Sequence, residues 1–233
     1  MKVEVWSDVM CPFCYIGKRR FENALQQFEH KNEIEVIWKS YQLDPSIQTE
    51  HGKNINQYLA ERKGWTLDYA KQMNAHVTNM AKEAGLQYDF DKAVVANSFD
   101  AHRFSHLAAK YGLGEAAEEL LFKAYFTEGK NIADRNTLVQ LGTEIGMDAT
   151  VTKQILESDT YTYEVQHDIN EAAELGLRGV PFFVMNRKYA VSGAQTEETF
   201  LKTLEKSFED WLQEQPKLTI VEGKVCKPGV DCD

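Results

Sequence analysis

The sequence predicts an α/β domain split by an all-helical insertion. Three observations carry this prediction. The chain opens as strand, helix, strand; positions 49–158 show helical spacing without β-branched clusters; and the chain then closes as helix, strand, strand, helix. The expected division is 1–48 for the first part of the α/β domain, 49–158 for the insertion, 159–216 for its second part and 217–233 for a tail.

Residues 2–8 alternate around Val3 and Val5 and read as a strand. From Cys11 to about Phe28, the apolar positions Phe13, Ile16, Phe21, Leu25 and Phe28 recur mainly at steps of three, four or five, the period of a helix. Residues 33–43 alternate charge with apolar side chains, and Asp44-Pro45 stops this second strand. A strand, a crossover helix and a strand argue for a parallel βαβ unit. In the insertion, Gly64, Gly85, Gly112, Gly114 and Gly146 punctuate four to six helices, with no strand expected. There, Met73 and Met80 share helical spacing with Ala70, Val77 and Ala84 and read as core, whereas the acidic run Glu115 to Glu119 reads as a solvated face. Residues 163–175 read as a helix ended by Gly176. Val180–Met185 forms a short strand that pairs with Lys188–Val191 across an Asn186-Arg187 turn. Residues 196–213 form an amphipathic helix with Phe200, Leu201, Leu204, Phe208, Trp211 and Leu212 on one face and Thr196 as its cap.

Composition excludes several functions. With 233 residues and 43% hydrophobic side chains, the chain buries about 70% of its unfolded surface and needs no disulfide or metal to fold. Its 26 basic and 36 acidic residues give a net charge of −10, which disfavours nucleic acid and anionic membranes as partners. Aromatic side chains, 11% of the chain, argue against disorder. No apolar run approaches the roughly 20 residues that span a bilayer. The opening Met1-Lys2-Val3-Glu4-Val5-Trp6 reads as a strand and not as a secretion signal, so a cytoplasmic setting is expected.

The four cysteines form two local pairs, Cys11/Cys14 and Cys226/Cys232. Such short loops stabilise little as structural disulfides. In a reducing compartment, closely paired cysteines point to redox or metal chemistry. Cys11-Pro12-Phe13-Cys14 stands where a strand meets a helix. A helix N-terminus presents free N–H groups and partial positive charge, which stabilise a thiolate. Cys11 is therefore expected to be the exposed nucleophile, and Cys14, one turn in, to resolve the mixed disulfide. Pro12 suits the first turn. Phe13 cannot donate charge to the thiolate as a histidine would, so a milder oxidant than the strongest CxxC oxidases is expected. Zinc needs two further ligands, and no metal is expected.

The chain resembles the DsbA-like superfamily of thioredoxin folds, and within it the FrnE-type cytoplasmic thiol oxidoreductases. The resemblance rests on Trp6-Ser7-Asp8-Val9-Met10-Cys11-Pro12-Phe13-Cys14-Tyr15-Ile16-Gly17-Lys18-Arg19, Asn97-Ser98-Phe99-Asp100-Ala101-His102-Arg103, Gly179-Val180-Pro181-Phe182-Phe183 and Ser192-Gly193-Ala194-Gln195, in order over nearly the whole chain. It implies a thioredoxin-like fold with an all-helical domain inserted after the second strand, exchanging disulfides with protein or small-thiol substrates and needing no bound cofactor. It implies that Pro181 is cis and faces the CxxC motif, with Val180 offering its backbone to substrate. It also suggests that Asn97, His102 and Arg103 line the cleft. Asp8, three residues before Cys11, reads either as a proton shuttle for Cys14 or as a hydrogen-bonded helix-start residue. His102 and His106 lie four apart on a helix, without a nearby third ligand for a metal.

In Cys226-Lys227-Pro228-Gly229-Val230-Asp231-Cys232, the Pro228-Gly229 step favours a turn, so this pair is either a second redox pair or a surface pair that oxidises adventitiously. Two other functions compete. One is a glutathione-dependent isomerase or transferase of the kappa-class or 2-hydroxychromene-2-carboxylate isomerase type. Those proteins are similar around Asp8-Val9, Pro12 and Val180-Pro181 but carry Ser at the Cys11 position, and their Ser-Asp glutathione grip is replaced here by Ala194-Gln195. Glutathione remains a possible co-substrate. The other is a non-enzymatic holdase.

Overall fold

The computed structural model describes residues 1–215, and only the backbone of residues 50–53. Strand β1 (Lys2–Ser7) lies centrally in a four-stranded sheet. It pairs in parallel with β2 (Glu35–Ser40), the two joined by helix α1 (Pro12–Gln27), which gives the expected crossover unit. The alternation of β1 divides its side chains between two layers. Val3 and Val5 pack with Phe21, Ala24 and Phe28, while Trp6 packs on the opposite face.

The sheet resumes far along the chain. Strand β5 (Phe182–Met185) runs antiparallel to β1, and β6 (Tyr189–Ser192) antiparallel to β5, giving the order β2-β1-β5-β6. Asn186 and Arg187 turn this hairpin with φ of 51° and 53°, the left-handed pair that a tight hairpin turn requires. Helix α9 (Glu197–Glu214), capped by Thr196, lays Phe200, Leu204 and Phe208 onto the α1 face. Helix α8 (Thr162–Glu174) covers the other face, where Trp6 Nε1 donates to the Asp168 carbonyl at 2.9 Å. These elements form a thioredoxin-like fold.

The insertion contributes strand β3 (Glu50–Asn54), helices α2 (Ile55–Lys63) and α3 (Leu67–Glu83), strand β4 (Val94–Val95), and helices α4 (Phe99–Lys110), α5 (Gly114–Phe126), α6 (Arg135–Glu144) and α7 (Ala149–Glu157). Six helices agree with the sequence reading. The antiparallel pair β3–β4 does not, because no strand was expected there. Glu50-His51-Gly52-Lys53-Asn54 carries no apolar alternation and β4 is two residues long, so neither leaves a period-two pattern.

The insertion and α1 share one core, in which Cys14, Tyr15 and Ile16 pack with Tyr88, Phe104, Leu121 and Phe122. The acidic run is part of this interface and more than a solvated face: Glu118 is buried and Glu119 half-buried, while Glu115 stays exposed. Lys18, only 1% exposed, meets Glu115 at 2.7 Å and Glu119 at 2.9 Å and also pairs with Glu22. Arg19 reaches Glu119 at 2.7 Å, and Glu118 is buried on the Ser105 hydroxyl. Burial alone would lower the Lys18 pKa, but the three carboxylates outweigh it and raise it above the usual lysine range. Among the described residues, no helix is long and apolar enough to cross a membrane.

Candidate active site

The site is built at the first turn of α1. Cys11 is the N-cap, with extended backbone, and Pro12 takes the first helical position, where its missing N–H costs nothing. The Cys11 N–H donates to the Asp8 carbonyl at 2.9 Å, and the Cys14 N–H donates to the Cys11 carbonyl at 3.0 Å. Both cysteines are free thiols.

Cys11 is not the exposed sulfur expected from sequence: it is 3% exposed. Its cover comes from across the sheet, where the thiol donates to the Val180 carbonyl at 3.5 Å. The Val180–Pro181 bond is cis. Pro181 packs directly over α1, and a Cβ on Gly17 would stand 2.8 Å from Pro181 Cγ. The Gly193 N–H donates to the Pro181 carbonyl at 2.8 Å, and Arg20 Nη1 donates to the Ala194 carbonyl at 2.7 Å, tying the neighbouring loop to α1. Phe13, 38% exposed, presents an apolar surface at the mouth. From the insertion, the Tyr88 hydroxyl donates to the Pro12 carbonyl at 2.7 Å.

Cys14 is deeper, at 1% exposure. Burial and the adjoining Cys11 push its thiol well above the ordinary range; the Asp8 backbone N–H and the Ser7 hydroxyl act in the opposite sense. The two sulfurs thus occupy unequal environments, one beside the cis-proline loop and one sealed behind it.

The other candidates divide. The Asp8 carboxylate accepts from the Met10 N–H at 3.2 Å and the Leu43 N–H at 2.7 Å, so it fastens the turn before α1 to the chain leaving β2. His102 Nε2 lies 3.6 Å from Asp8, a contact between charges too long for a hydrogen bond. Burial of His102 favours its neutral form, but Asp8 and, more weakly, Glu118 outweigh that and hold its pKa above the ordinary value. Asn97 anchors the same departing chain, donating to the Ile47 carbonyl at 2.9 Å and accepting from Gln42 Nε2 at 3.1 Å. Arg103 faces away from the cleft. It donates to the Ile155, Leu156, Ser158 and Thr160 carbonyls and to Asp100, capping the end of α7. Adjacent helix residues point about 100° apart, and here His102 turns to Asp8 while Arg103 turns to the end of α7. Cys226 and Cys232 lie outside the described residues.

Gly17 and Tyr88 were missed from sequence as parts of the site. A glycine inside a helical pattern hints at close approach, whereas nothing in the sequence links Tyr88 to a carbonyl 76 residues away.

Two further clusters lie away from the cysteines. A cavity of 690 Å³ runs along the outer edge of β2. In it, Ser40 Oγ and Asp168 Oδ2 each lie 3.1 Å from the same His106 nitrogen, so they cannot form a relay that needs both ring nitrogens. Nearby His167, Asp168 and Glu171 are grouped like metal ligands, but Lys39 sits 2.8 Å from Asp168 and 3.2 Å from Glu171 and neutralises them.

A thioredoxin-like sheet bearing paired cysteines at a helix start, opposite a cis-proline, defines a protein of the thiol–disulfide oxidoreductase class. The chain belongs to the DSBA-like thioredoxin domain family, whose pattern matches residues 2–205. The structure is similar to that of the probable DsbA oxidoreductase SCO1869 from Streptomyces coelicolor, with TM-score 0.85 and 35% identity, covering 98% of this chain and 97% of that one. It shares its fold with the cytosolic disulfide reductase DsbM from Pseudomonas aeruginosa with GSH, at TM-score 0.62 and 17% identity over 91% of this chain and 100% of that one. In sequence it is 29% identical over 207 residues to the uncharacterised Bacillus subtilis (strain 168) protein YwbO, 87% of this chain and 94% of that one.

Proposed function

We propose that the chain exchanges disulfides through Cys11 and Cys14. The observation that carries this reading is the Cys11 thiol resting on the carbonyl that precedes cis-Pro181. In the reducing direction, the Cys11 thiolate attacks a substrate disulfide, forming a mixed disulfide and releasing one substrate thiolate. Cys11 no longer has a proton to donate to Val180, so that backbone becomes available to the substrate chain. Cys14 then loses its proton and attacks the Cys11 sulfur, forming the Cys11–Cys14 disulfide and releasing the second thiolate. Two small thiols, glutathione being the candidate, restore the dithiol and leave as their own disulfide. The raised pKa of Cys14 supports this order, because it keeps the resolving sulfur protonated until a mixed disulfide forms.

The proposal includes a cytoplasmic setting and the reductase or isomerase direction, which a reducing thiol pool sustains more readily than net oxidation. The cytosolic description and bound glutathione of the Pseudomonas aeruginosa neighbour are consistent with both. For the tail pair Cys226/Cys232 both sequence readings stand, a second redox pair serving the first or a surface pair that oxidises adventitiously, and the tail variant below separates them.

The test is dithiothreitol-driven reduction of insulin disulfides by wild type, Cys11→Ser and Cys226→Ser/Cys232→Ser. Acceleration by wild type and none by Cys11→Ser supports the reading, and slower turnover by the tail variant supports a relay. A wild-type rate equal to the uncatalysed rate overturns it and turns attention to glutathione-dependent isomerisation or transfer.

A further inference from the structure

Cys11 occupies the N-cap of α1, where its thiol makes no capping hydrogen bond and donates instead to the Val180 carbonyl; once ionised, an N-cap side chain can accept from the second or third helical N–H. The third of these, on Cys14, is already bonded to the Cys11 carbonyl. The second, the Phe13 N–H, has no partner among the described residues, and it is the donor left for a thiolate at Cys11. That N–H belongs to the same peptide unit as the Pro12 carbonyl, which accepts the Tyr88 hydroxyl at 2.7 Å. Tyr88 is held rigidly for this contact: it is 8% exposed, and its ring stacks on Phe126 with centroids 4.6 Å apart and on Tyr15 at 6.0 Å.

We propose that Tyr88 is a positioning residue for disulfide exchange, acting through the Pro12–Phe13 peptide. Its hydroxyl fixes the orientation of that peptide and withdraws electron density at the carbonyl, which makes the Phe13 N–H a stronger donor to the Cys11 thiolate. Hydrogen bonds in series strengthen one another by about 10–30% in condensed phases, and a bond to a charged acceptor is among the strongest a protein makes. The insertion thereby reaches the redox pair through the Pro12–Phe13 peptide. This rests on the reading of Cys11 and Cys14 as the exchanging pair.

The test measures the equilibrium in which protein disulfide and two glutathione molecules give protein dithiol and glutathione disulfide. It uses the full chain carrying Cys226→Ser/Cys232→Ser, so that only Cys11 and Cys14 report. Tyr88→Phe removes the hydroxyl and keeps the stacked ring. Tyr15→Phe is the control, since it removes a hydroxyl from the same stack, one bonded to Glu119 at 2.6 Å, and leaves the Pro12 carbonyl alone. The expected result is a shift of about two- to fourfold toward the disulfide in Tyr88→Phe, or about 10–20 mV more reducing at 29.6 mV per tenfold, with no shift in Tyr15→Phe. An unchanged constant in Tyr88→Phe, or equal shifts in both variants, overturns the role of Tyr88 and leaves the exchange reading standing. If the parent chain forms no Cys11–Cys14 disulfide in the glutathione buffer, both are overturned. A second measurement needs no variant: as the reduced protein is titrated from acid to alkaline pH, the Phe13 amide proton moves downfield when Cys11 ionises. A Phe13 amide that does not respond overturns the proposal.

Discussion

Gly17→Ala adds one methyl group at the point where α1 passes under cis-Pro181. The new Cβ would stand 2.8 Å from Pro181 Cγ and 3.5 Å from Ala194 Cα. Ordinary contact begins near 3.4 Å, so the proline loop must retreat by roughly half an ångström to one ångström, because a five-membered ring has no rotamer into which to swing. Overpacking of this kind costs about 1–3 kcal/mol. Alanine recovers about 1 kcal/mol of helix propensity over glycine, leaving a net loss of about 0–2 kcal/mol. The larger effect falls on exchange. The retreat carries the Val180 carbonyl away from Cys11 Sγ, now 3.5 Å distant, and a 1 Å misplacement at a reacting centre costs up to about 100-fold. Insulin reduction by Gly17→Ala is therefore expected to fall about 10- to 100-fold, while urea unfolding shows a folded protein within about 2 kcal/mol of wild type. A wild-type exchange rate together with a stability gain near 1 kcal/mol would refute the reasoning, since it would mean that the proline loop is free to move without consequence.

Alkylation should separate the two sulfurs. In the reduced Cys226→Ser/Cys232→Ser chain near pH 7.5, iodoacetamide is expected to add one equivalent, at Cys11, because the raised Cys14 pKa keeps that thiol protonated; peptide mass mapping that finds both sites modified equally fast contradicts this. For His102, a folded pKa raised above the unfolded value of 6.5 means that its ion pair with Asp8 stabilises fully below that value, and this contribution fades as pH rises through the folded pKa. Urea unfolding of wild type minus His102→Asn is thus expected to show a difference that shrinks with rising pH above 6.5, and a difference that grows with pH is the opposing result. Arg103→Lys loses the fan of bonds to the end of α7 and is expected to cost about 2–4 kcal/mol of stability while leaving insulin reduction near wild type; a selective loss of exchange would return Arg103 to the cleft.

The parts of this protein written in local periodicity were legible in its sequence. Val3 and Val5, the Phe13 to Phe28 spacing and the Asn186-Arg187 turn each declare an element within a few residues. The cysteine motif was legible for the same reason, being four consecutive residues at a strand–helix junction. What escaped depends on partners far along the chain. The cover on Cys11 comes from Val180, 169 residues away. The acidic run became an interface because Lys18, about a hundred residues earlier, turns its charge inward. Glu50-His51-Gly52-Lys53-Asn54 forms a strand against β4 without any alternation of its own.

The inward-facing Lys18 bears on whether the molecule is modular. Two of its three carboxylate partners, Glu115 and Glu119, belong to the insertion, and so do the Phe122 and Tyr88 rings that stack on Tyr15. Excising residues 49–158 would therefore remove two of the three carboxylates that neutralise Lys18 and much of the cover on α1, leaving Glu22 as the partner that remains. The insertion is not an interchangeable cassette fitted onto a self-sufficient redox domain.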